Sequence, residues 1–309
     1  MKTHPANLQE ETRSAIGKLT EELRSRSEYL SQHLVSWIQG LSKQGPPEGY
    51  FLHPHAFPTL FFPHWVKEGC GFAHDGGLHR DLTYSSISGY YFIRLIDDVM
   101  DQHPERKTNL LPLLGFFHER FQSIYCGYFP HSHPFWDYFK KQWTLSAEAS
   151  VRDSHFRHID EEAFSGVSSK KVCAGKIPMV AVCMRNGRAD LPPLWDQAFD
   201  ELSAFHQFHN DFFDFQRDAE LGIQTHFLFH AERRKKDGES LESWVLREGF
   251  EWGADAMKTK LARLRSIASS SQSPSFERYL EERERIFVRT LEESFPGLCS
   301  MKKLLQVGL

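Results

Sequence analysis

The chain has 309 residues and a formal net charge of −4, because 37 lysines and arginines nearly balance 41 aspartates and glutamates. This balance excludes the basic footprint of a nucleic-acid-binding protein, and five cysteines without paired metal-type spacing favour reduced thiols over disulfides or zinc ligands. Because no stretch approaches the ~20 apolar residues of a membrane span and the first residues lack an apolar signal core, we expect a soluble cytoplasmic protein without stable membrane insertion.

Helical periodicity dominates the chain, and few segments alternate as β-strands do. The first pattern, 7–43, predicts one or two amphipathic helices and ends at a glycine- and proline-rich break at 45–49. An aromatic stretch, 51–65, predicts a short, deeply packed helix. Further helical patterns cover 81–101, 108–127, 134–152, 160–186, 193–221, 239–248, 252–270 and 275–296, with a helix start near Pro104 and a solvated loop at 230–238. We therefore predict an all-α fold, a single-domain helical bundle over residues 1–309.

The first chemical signal is an acidic patch at the end of the pattern 81–101. It reads Asp97-Asp98-Val-Met-Asp101, and Asp97 and Asp101 are neighbours on one helical face because they are four residues apart. The preceding run, 90–96, is mostly apolar, so this helix is expected to be largely buried. Carboxylates are seldom left in such surroundings without a counter-charge, because desolvating an ion costs several kcal/mol.

A second acidic patch follows 113 residues later, in another helix rich in phenylalanine. Asn210, Asp214 and Asp218 lie at i, i+4 and i+8, so their oxygens form one stripe along the helix. The alternative is a helix-end charge cluster in solvent, but two patches at these spacings favour a metal site. Hard oxygen ligands suit Mg²⁺, which keeps several waters and completes its shell with phosphate oxygens. The two patches together therefore predict a magnesium and diphosphate site.

The two patches resemble the motifs of class I isoprenoid enzymes, the all-helical superfamily of terpene synthases, prenyl diphosphate synthases and squalene/phytoene synthases. The run Arg94-Leu-Ile-Asp97-Asp98-Val-Met-Asp101 is similar to the Asp-Asp-x-x-Asp motif of terpene synthases and equally to Arg-x-x-Asp-Asp-x-x-Asp of squalene/phytoene synthases. The second patch is similar to the terpene synthase consensus Asn-Asp-x-x-Ser-x-x-x-Glu, with Asp214 in the serine place, Asp218 in the glutamate place and Arg217 as the basic residue before it.

This resemblance implies a helical bundle around a central active-site cavity. It also implies that three Mg²⁺ ions, held by Asp97, Asp98 and Asp101 and by the second stripe, grip the diphosphate of an allylic substrate and draw it off to leave a carbocation. Arg94, one turn before Asp97, either orients the carboxylates, reaches the diphosphate or makes an ordinary salt bridge.

Two further segments resemble parts of a diphosphate site. Lys171 precedes Gly175 by four residues, the offset of the diphosphate-sensing arginine and helix-break glycine of terpene synthases, although lysine lacks the fork of arginine. Glycine and Pro178 predict a kink here. Arg278-Tyr279 resembles the Arg-Tyr pair that closes terpene synthase sites. The alternatives are a surface lysine at 171 and a chance dipeptide at 278–279.

Aromatic residues make up 14% of the chain, including 26 phenylalanines. Their ring faces stabilise cations without offering a nucleophile, so they suit a pocket that holds a carbocation. Most aromatics at helical spacing belong to the core. The candidates for substrate contact, together with Gly175, are Phe62, Trp65, Tyr90 and Phe208.

The predicted function is a class I terpene synthase that acts on a C15 prenyl diphosphate. The nearest alternative is a prenyl-joining enzyme of the squalene/phytoene type, although the run after the second patch, 219–223, lacks the basic residues expected there. A chain-elongating prenyl diphosphate synthase normally repeats Asp-Asp-x-x-Asp in its second motif. A non-catalytic helical binding protein is the alternative of a different class. The oligomeric state is open, with a homodimer as one option.

Overall fold

The computed structural model describes residues 7–100, 108–153 and 159–297. Within these ranges every regular element is helical, and no strand is present. This confirms the all-α prediction. The α-helices are α1 Leu8–Arg24, α2 Glu28–Leu41, α3 Gly49–Leu52, α4 Phe62–Gly69, α5 Gly76–Met100, α6 Leu113–Cys126, α7 Phe135–Asp153, α8 Glu161–Lys171, α9 Ile177–Arg185, α10 Pro193–Phe213, α11 Phe215–Glu220, α12 His226–Arg234, α13 Leu241–Trp244, α14 Phe250–Ser270 and α15 Pro274–Ser294.

Short 3₁₀ turns cover Thr108–Leu110 and Cys173–Lys176, and a π-helical turn covers Val245–Gly249. No helix in the described ranges is long and apolar enough to cross a membrane. The cysteines that the structure describes are free thiols, as the sequence predicted, and Cys299 lies outside the described residues.

Side-chain caps explain where several helices begin. Asp160 accepts the backbone N–H of Ala163 at 2.9 Å and starts α8, and Thr225 accepts that of Leu228 at 3.3 Å and starts α12. Ser273 caps α15 in the same way and is followed by a proline in the first turn, where its missing N–H costs nothing. These caps give acceptors to the otherwise unpaired first N–H groups of each helix.

The chain divides into two compact units, which are described separately. The first contains the described residues up to Leu145 together with Cys173–Pro192, and α5 is its central helix. Helix α5 packs on α1 and α6, and Gly89 allows a close approach, because a Cβ at this position would lie 2.8 Å from the Phe121 ring.

The second unit contains the described part of Ser146–Val172 and the described residues from Pro193 onward. Here α10 is central and packs on α8, α12 and α14. A Cβ at Gly253 of α14 would lie 2.4 Å from the ring of Phe212, so glycine sets how closely α14 approaches α10. The single-domain assignment stays a prediction.

Three helical patterns of the sequence are interrupted in the structure. The pattern 7–43 forms two helices, and 160–186 breaks into α8, a 3₁₀ turn and α9, where glycine and proline predicted a kink. The pattern 193–221 breaks at Asp214, between α10 and α11. The loop predicted over 230–238 is helical up to Arg234, because Thr225 caps α12 and the helix buries Phe227 and Leu228. The helix start near Pro104 lies outside the described residues.

Candidate functional site

The first acidic patch lies on the last turns of α5. Arg94 Nη2 is 2.7 Å from Asp98 Oδ1, and the indole Nε1 of Trp37 donates to Asp98 Oδ2 at 3.3 Å. Each carboxylate oxygen of Asp98 therefore has a donor, one from the preceding turn of α5 and one from α2. Arg94 makes the ion pair that was one of its three expected roles, and its roles in orienting the carboxylates or reaching a diphosphate stay predictions.

The remaining acids of this patch are Asp97 and Asp101. Asp97 is partly buried on α5, next to the Arg94–Asp98 pair. Helix α5 is described up to Met100, and Asp101 lies outside the described residues. The metal-binding roles of Asp97, Asp98 and Asp101 stay predictions.

Tyr90 lies one turn before Arg94 on α5. Its hydroxyl is 3.0 Å from that of Tyr50, and its ring meets Phe51 edge-to-face at 5.2 Å. Burial raises the pKa of Tyr90 well above its ordinary value, so the phenol keeps its proton. Tyr90 therefore presents a neutral aromatic ring on the same helix as the acidic patch.

Phe62 and Trp65 lie on α4, within the core of the first unit. Neither side chain is exposed, and their rings pack edge-to-face with centroids 5.0 Å apart. The aromatic stretch does form the short, deeply packed helix that was expected. A role of either ring in lining a substrate cavity stays a prediction.

The second patch forms a stripe of oxygen-bearing side chains, Asn210, Asp214 and Asp218, called here the Asn/Asp ladder. Asp214 is the non-helical residue between α10 and α11. The backbone N–H of Asp214 nevertheless donates to the carbonyl of Asn210 at 2.9 Å, and that of Asp218 donates to the carbonyl of Asp214 at 2.9 Å. The helical spacing therefore continues through the break, as the i, i+4, i+8 pattern predicted.

The electrostatics of the Asn/Asp ladder favour a cation. Asn210 and Asp214 are exposed, and neither side chain forms a hydrogen bond or an ion pair with any residue that the structure describes. Burial and then the charge of Asp214 raise the pKa of Asp218 to about 6, with a smaller opposing effect from Arg217, which is exposed. A positive ion among these side chains would relieve the repulsion between the two carboxylates.

Asp211 belongs to the same acidic run but has a different environment. Its side chain is buried, accepts Gln207 Nε2 at 2.8 Å and accepts the backbone N–H of His226 at 3.1 Å. Burial raises the pKa of Asp211 to about 6. Asp211 is thus part of the core and not of the exposed ladder.

The segment around Lys171 shows the predicted interruption. Helix α8 ends at Lys171, Gly175 lies in the 3₁₀ turn, and α9 begins at Ile177 with Pro178 in its first turn. The hydroxyl of Ser146 donates to the backbone carbonyl of Lys171 at 2.6 Å. The phosphate-binding role of Lys171 and the substrate contact of Gly175 stay predictions.

Arg278 and Tyr279 lie in different environments. Arg278 is exposed and donates to Ser275 Oγ at 2.9 Å. Tyr279 is buried, its hydroxyl accepts a hydrogen bond from Arg283, and it lies 3.4 Å from Nε2 of His206. Since His206 is one turn before Asn210 on α10, Tyr279 packs beside the helix that carries the ladder. The closing role predicted for the pair stays a prediction.

Sequence reasoning missed a buried cation beside Phe208. Lys260 of α14 is buried, with Nζ 5.8 Å from the centroid of Phe208, 5.1 Å from that of Phe164 and 3.7 Å from Glu161 Oε1. The ring of Phe208, predicted to contact a substrate cation, therefore already faces a protein cation. A signal was present, because Lys260 falls on the apolar stripe of α14 formed by Met257, Leu261 and Leu264.

The donors of the Asn/Asp ladder fit Mg²⁺. They are hard oxygen atoms on neighbouring turns, with Asn210 and Asp214 exposed and Asp218 half-buried, and no ion pair to them is present among the described residues. No group of three His, Cys, Asp or Glu side chains among the described residues could hold a metal ion by itself. This is compatible with Mg²⁺, which binds through one or two carboxylates plus waters and substrate phosphates.

Comparisons with known proteins find a similar fold but no matching sequence family. No protein-family model matches the chain, and no curated protein matches it. Among solved structures, it is similar to a geranylgeranyl pyrophosphate synthetase from the archaeon Geoglobus acetivorans, with a TM-score of 0.54 and 13% identity over 91% of this chain and 99% of that chain. At this identity the likeness shows the fold alone, an all-helical fold of the isoprenoid synthase type.

Proposed function

We propose that the protein is a Mg²⁺-dependent class I terpene synthase that acts on an allylic prenyl diphosphate, with the C15 compound as the expected substrate. The observation that carries this proposal is the Asn/Asp ladder, whose oxygens follow one another across the α10–α11 break and whose carboxylates repel each other. The acidic patch on α5 and the isoprenoid synthase fold support it.

In this mechanism the metal-binding residues are Asn210, Asp214 and Asp218 and, separately, Asp97, Asp98 and Asp101. Bound Mg²⁺, expected as three ions, supplies positive charge that stabilises the departing diphosphate. Arg94 and Trp37 are proposed to keep Asp98 oriented, because each gives a donor to one of its oxygens. Arg217 and Lys171, both of the second unit, are proposed to contact the diphosphate.

Aromatic side chains are proposed to receive the carbocation after the diphosphate leaves. Tyr90 suits this because its raised pKa keeps the phenol protonated, and a neutral phenol is a weaker nucleophile than a phenolate. Phe62 and Trp65 are proposed to contribute further ring faces, whereas the ring of Phe208 already faces Lys260. Tyr279 with Arg278 is proposed to close the site against water.

The structure also bears on the rival reactions. A chain-elongating enzyme would need a second exposed acid pair in its second motif, whereas Asp211 is buried and bonded to Gln207 and His226. A prenyl-joining enzyme would need basic residues after that motif. The segment 219–223 is exposed throughout and contains none, which favours the terpene synthase.

Product analysis separates these reactions. The protein is incubated with C10, C15 and C20 allylic diphosphates, with and without Mg²⁺ and with and without isopentenyl diphosphate, and the products are identified by mass spectrometry. A Mg²⁺-dependent C15 hydrocarbon or alcohol supports the proposal. A lengthened diphosphate that requires isopentenyl diphosphate, or a C30 product, would assign a prenyltransferase instead.

A non-catalytic binding protein is tested by thermal unfolding with Mg²⁺ and inorganic diphosphate. A specific ligand present at a hundred times its dissociation constant adds about 2.7 kcal/mol to the free energy of unfolding. We expect a rise in the midpoint temperature only when both components are present. An unchanged midpoint with no product from any substrate would favour the scaffold.

A further inference from the structure

Asp211 connects the end of α10 to the start of α12. One carboxylate oxygen accepts the Gln207 side chain within α10, and the other accepts the backbone N–H of His226, the first residue of α12. The side chain is 3% exposed, so these two donors replace the water that the carboxylate loses on burial. Both oxygens are therefore used to join two helices.

His226 continues this connection to the start of α8. Its Nδ1 lies 2.8 Å from the carbonyl oxygen of Ile159, and its Nε2 lies 3.0 Å from Oε2 of Glu161. The imidazole also stacks on Phe164, with ring centroids 4.9 Å apart. Both polar partners accept hydrogen bonds, since a carbonyl has no proton and the bond from His226 lowers the pKa of Glu161 to about 2.

Lys260 adds a fourth helix, α14, to the same cluster. Its ammonium lies near the other oxygen of Glu161, at 3.7 Å, and over the rings of Phe164 and Phe208. The His226 cluster, defined as Glu161, Asp211, His226 and Lys260, thus links α8, α10, α12 and α14 by side chains. A buried ionic cluster is weak evidence for stability, because well-packed apolar residues are often as stable or more stable. We therefore consider how the His226 cluster affects the positions of the helices that it joins.

The His226 cluster is connected to the Asn/Asp ladder through Asp211. Helix α10 ends at Phe213 and α11 begins at Phe215, so the ladder crosses a break that is spanned by two backbone hydrogen bonds, from Asp214 to Asn210 and from Asp218 to Asp214. Asp211 is one residue after Asn210, on the segment just before the break. We propose that Asp211 is a positioning residue, which holds the ladder in register by its hydrogen bond to the backbone of His226. This inference rests on the proposed function of the ladder as a Mg²⁺ site.

The test compares Asp211→Leu with Asp211→Asn. Leucine has a similar volume and no acceptor, whereas asparagine keeps an oxygen for the N–H of His226 and can bond to a rotated Gln207 amide. We measure amide hydrogen exchange of the peptide 210–220 and, by calorimetry, the affinity for Mg²⁺ with inorganic diphosphate. For Asp211→Leu we expect at least about tenfold faster exchange at Asp214 and Asp218 and about 10- to 100-fold weaker binding. Asp211→Asn should stay within about threefold of the parent in both.

Glu48→Leu is the matched control. Glu48 is also a buried carboxylate, 3% exposed, but it lies in the first unit and accepts Arg13 at 2.6 Å. We expect this control to lower stability without changing exchange at 210–220 or the affinity for Mg²⁺ and diphosphate. A general loss of stability in Asp211→Leu would accelerate exchange throughout the second unit, whereas lost positioning would act on 210–226.

These measurements distinguish failure of the inference about Asp211 from failure of the proposed function. Parent-like exchange at 210–220 in Asp211→Leu overturns the inference, as does an Asp211→Asn variant that is as impaired as Asp211→Leu. If Asp211→Leu does not fold, Asp211→Ala removes the same two acceptor oxygens with a smaller side chain, and parent-like exchange and binding in that variant would overturn the inference. If the parent protein does not bind Mg²⁺ with diphosphate, the proposed function fails, while the exchange measurement still decides whether Asp211 positions the ladder.

Discussion

The indole N–H of Trp37 donates to Oδ2 of Asp98 at 3.3 Å, across 61 residues of sequence. With Arg94 on the other oxygen, Asp98 is held between a helix-internal cation and a donor from α2. The contact from Trp37 therefore links the orientation of Asp98 to a residue on another helix.

Replacing Trp37 by phenylalanine removes this donor and keeps an aromatic ring. A hydrogen bond to a charged group contributes about 1.5 kcal/mol, so we expect the Mg²⁺ concentration for half-maximal diphosphate release to rise roughly tenfold. The measurement is turnover as a function of Mg²⁺ concentration at saturating prenyl diphosphate.

Trp136→Phe is the control for this prediction. Its indole N–H also donates to acceptors of the same unit, and these are the carbonyls of Phe129 and Pro130, not carboxylates. We expect a loss of stability with an unchanged Mg²⁺ requirement. Equal Mg²⁺ requirements in Trp37→Phe and the parent would show that the contact does not orient Asp98.

Gly253→Ala tests the packing of α14 on α10. The added Cβ would lie 2.4 Å from the Phe212 ring, which is itself fully buried among other rings. Overpacking of this kind costs about 1–3 kcal/mol, so we expect the urea midpoint to fall with an unchanged slope. In Gly166→Ala on α8 the Cβ meets nothing within 4 Å, and we expect a gain of about 0.5–1 kcal/mol from helix propensity. The opposite ranking of the two variants would refute this packing.

The imidazole of His64 is expected to lower the free energy of unfolding in acid. Burial, and then the neighbouring His79, lower the pKa of His64 to about 3, while in the unfolded chain it is about 6.5. Between these values the unfolded state binds the extra proton, so the free energy of unfolding decreases as pH falls, by at most about 1.4 kcal/mol per pH unit from this group. Glu11, 4.0 Å away, opposes this partly, because burial raises its pKa and the folded state binds that proton first.

The variant His64→Phe should flatten this pH dependence. We expect the difference in urea-unfolding free energy between pH 6.5 and pH 4 to be smaller than in the parent. The exposed His131, changed to glutamine, serves as the control and should follow the parent curve. Parallel curves for His64→Phe and the parent would mean that His64 does take up its proton in the folded state.

Local spacing was sufficient to predict the helices and the stripe of Asn210, Asp214 and Asp218, because both depend on the 3.6-residue period alone. It could not distinguish Asp211 from Asp214, three residues apart in the same acidic run. Asp211 is buried because α12 begins beside it, and that helix starts fifteen residues later in the chain. Burial decided by a distant element leaves no local signal.

Contacts with other parts of the fold also decide the environments of Arg278, Tyr279 and Lys260. Neighbouring residues in a helix are turned about 100° apart, so Tyr279 packs inward, with Arg283 one turn later, while Arg278 is exposed. The closing role of the pair stays a prediction. Lys260 carried a readable signal, a cation on an apolar stripe. Its partner Glu161 lies 99 positions earlier and could not be identified from spacing.

The most direct test of the account is Mg²⁺-dependent release of diphosphate from the C15 allylic substrate, measured for the parent, Asp97→Asn and Asn210→Ala. The account predicts release that stops on chelation of Mg²⁺ and falls at least about 100-fold in each variant, with the folded state retained by circular dichroism. Folded variants that release diphosphate at the parent rate with Mg²⁺ present would contradict it.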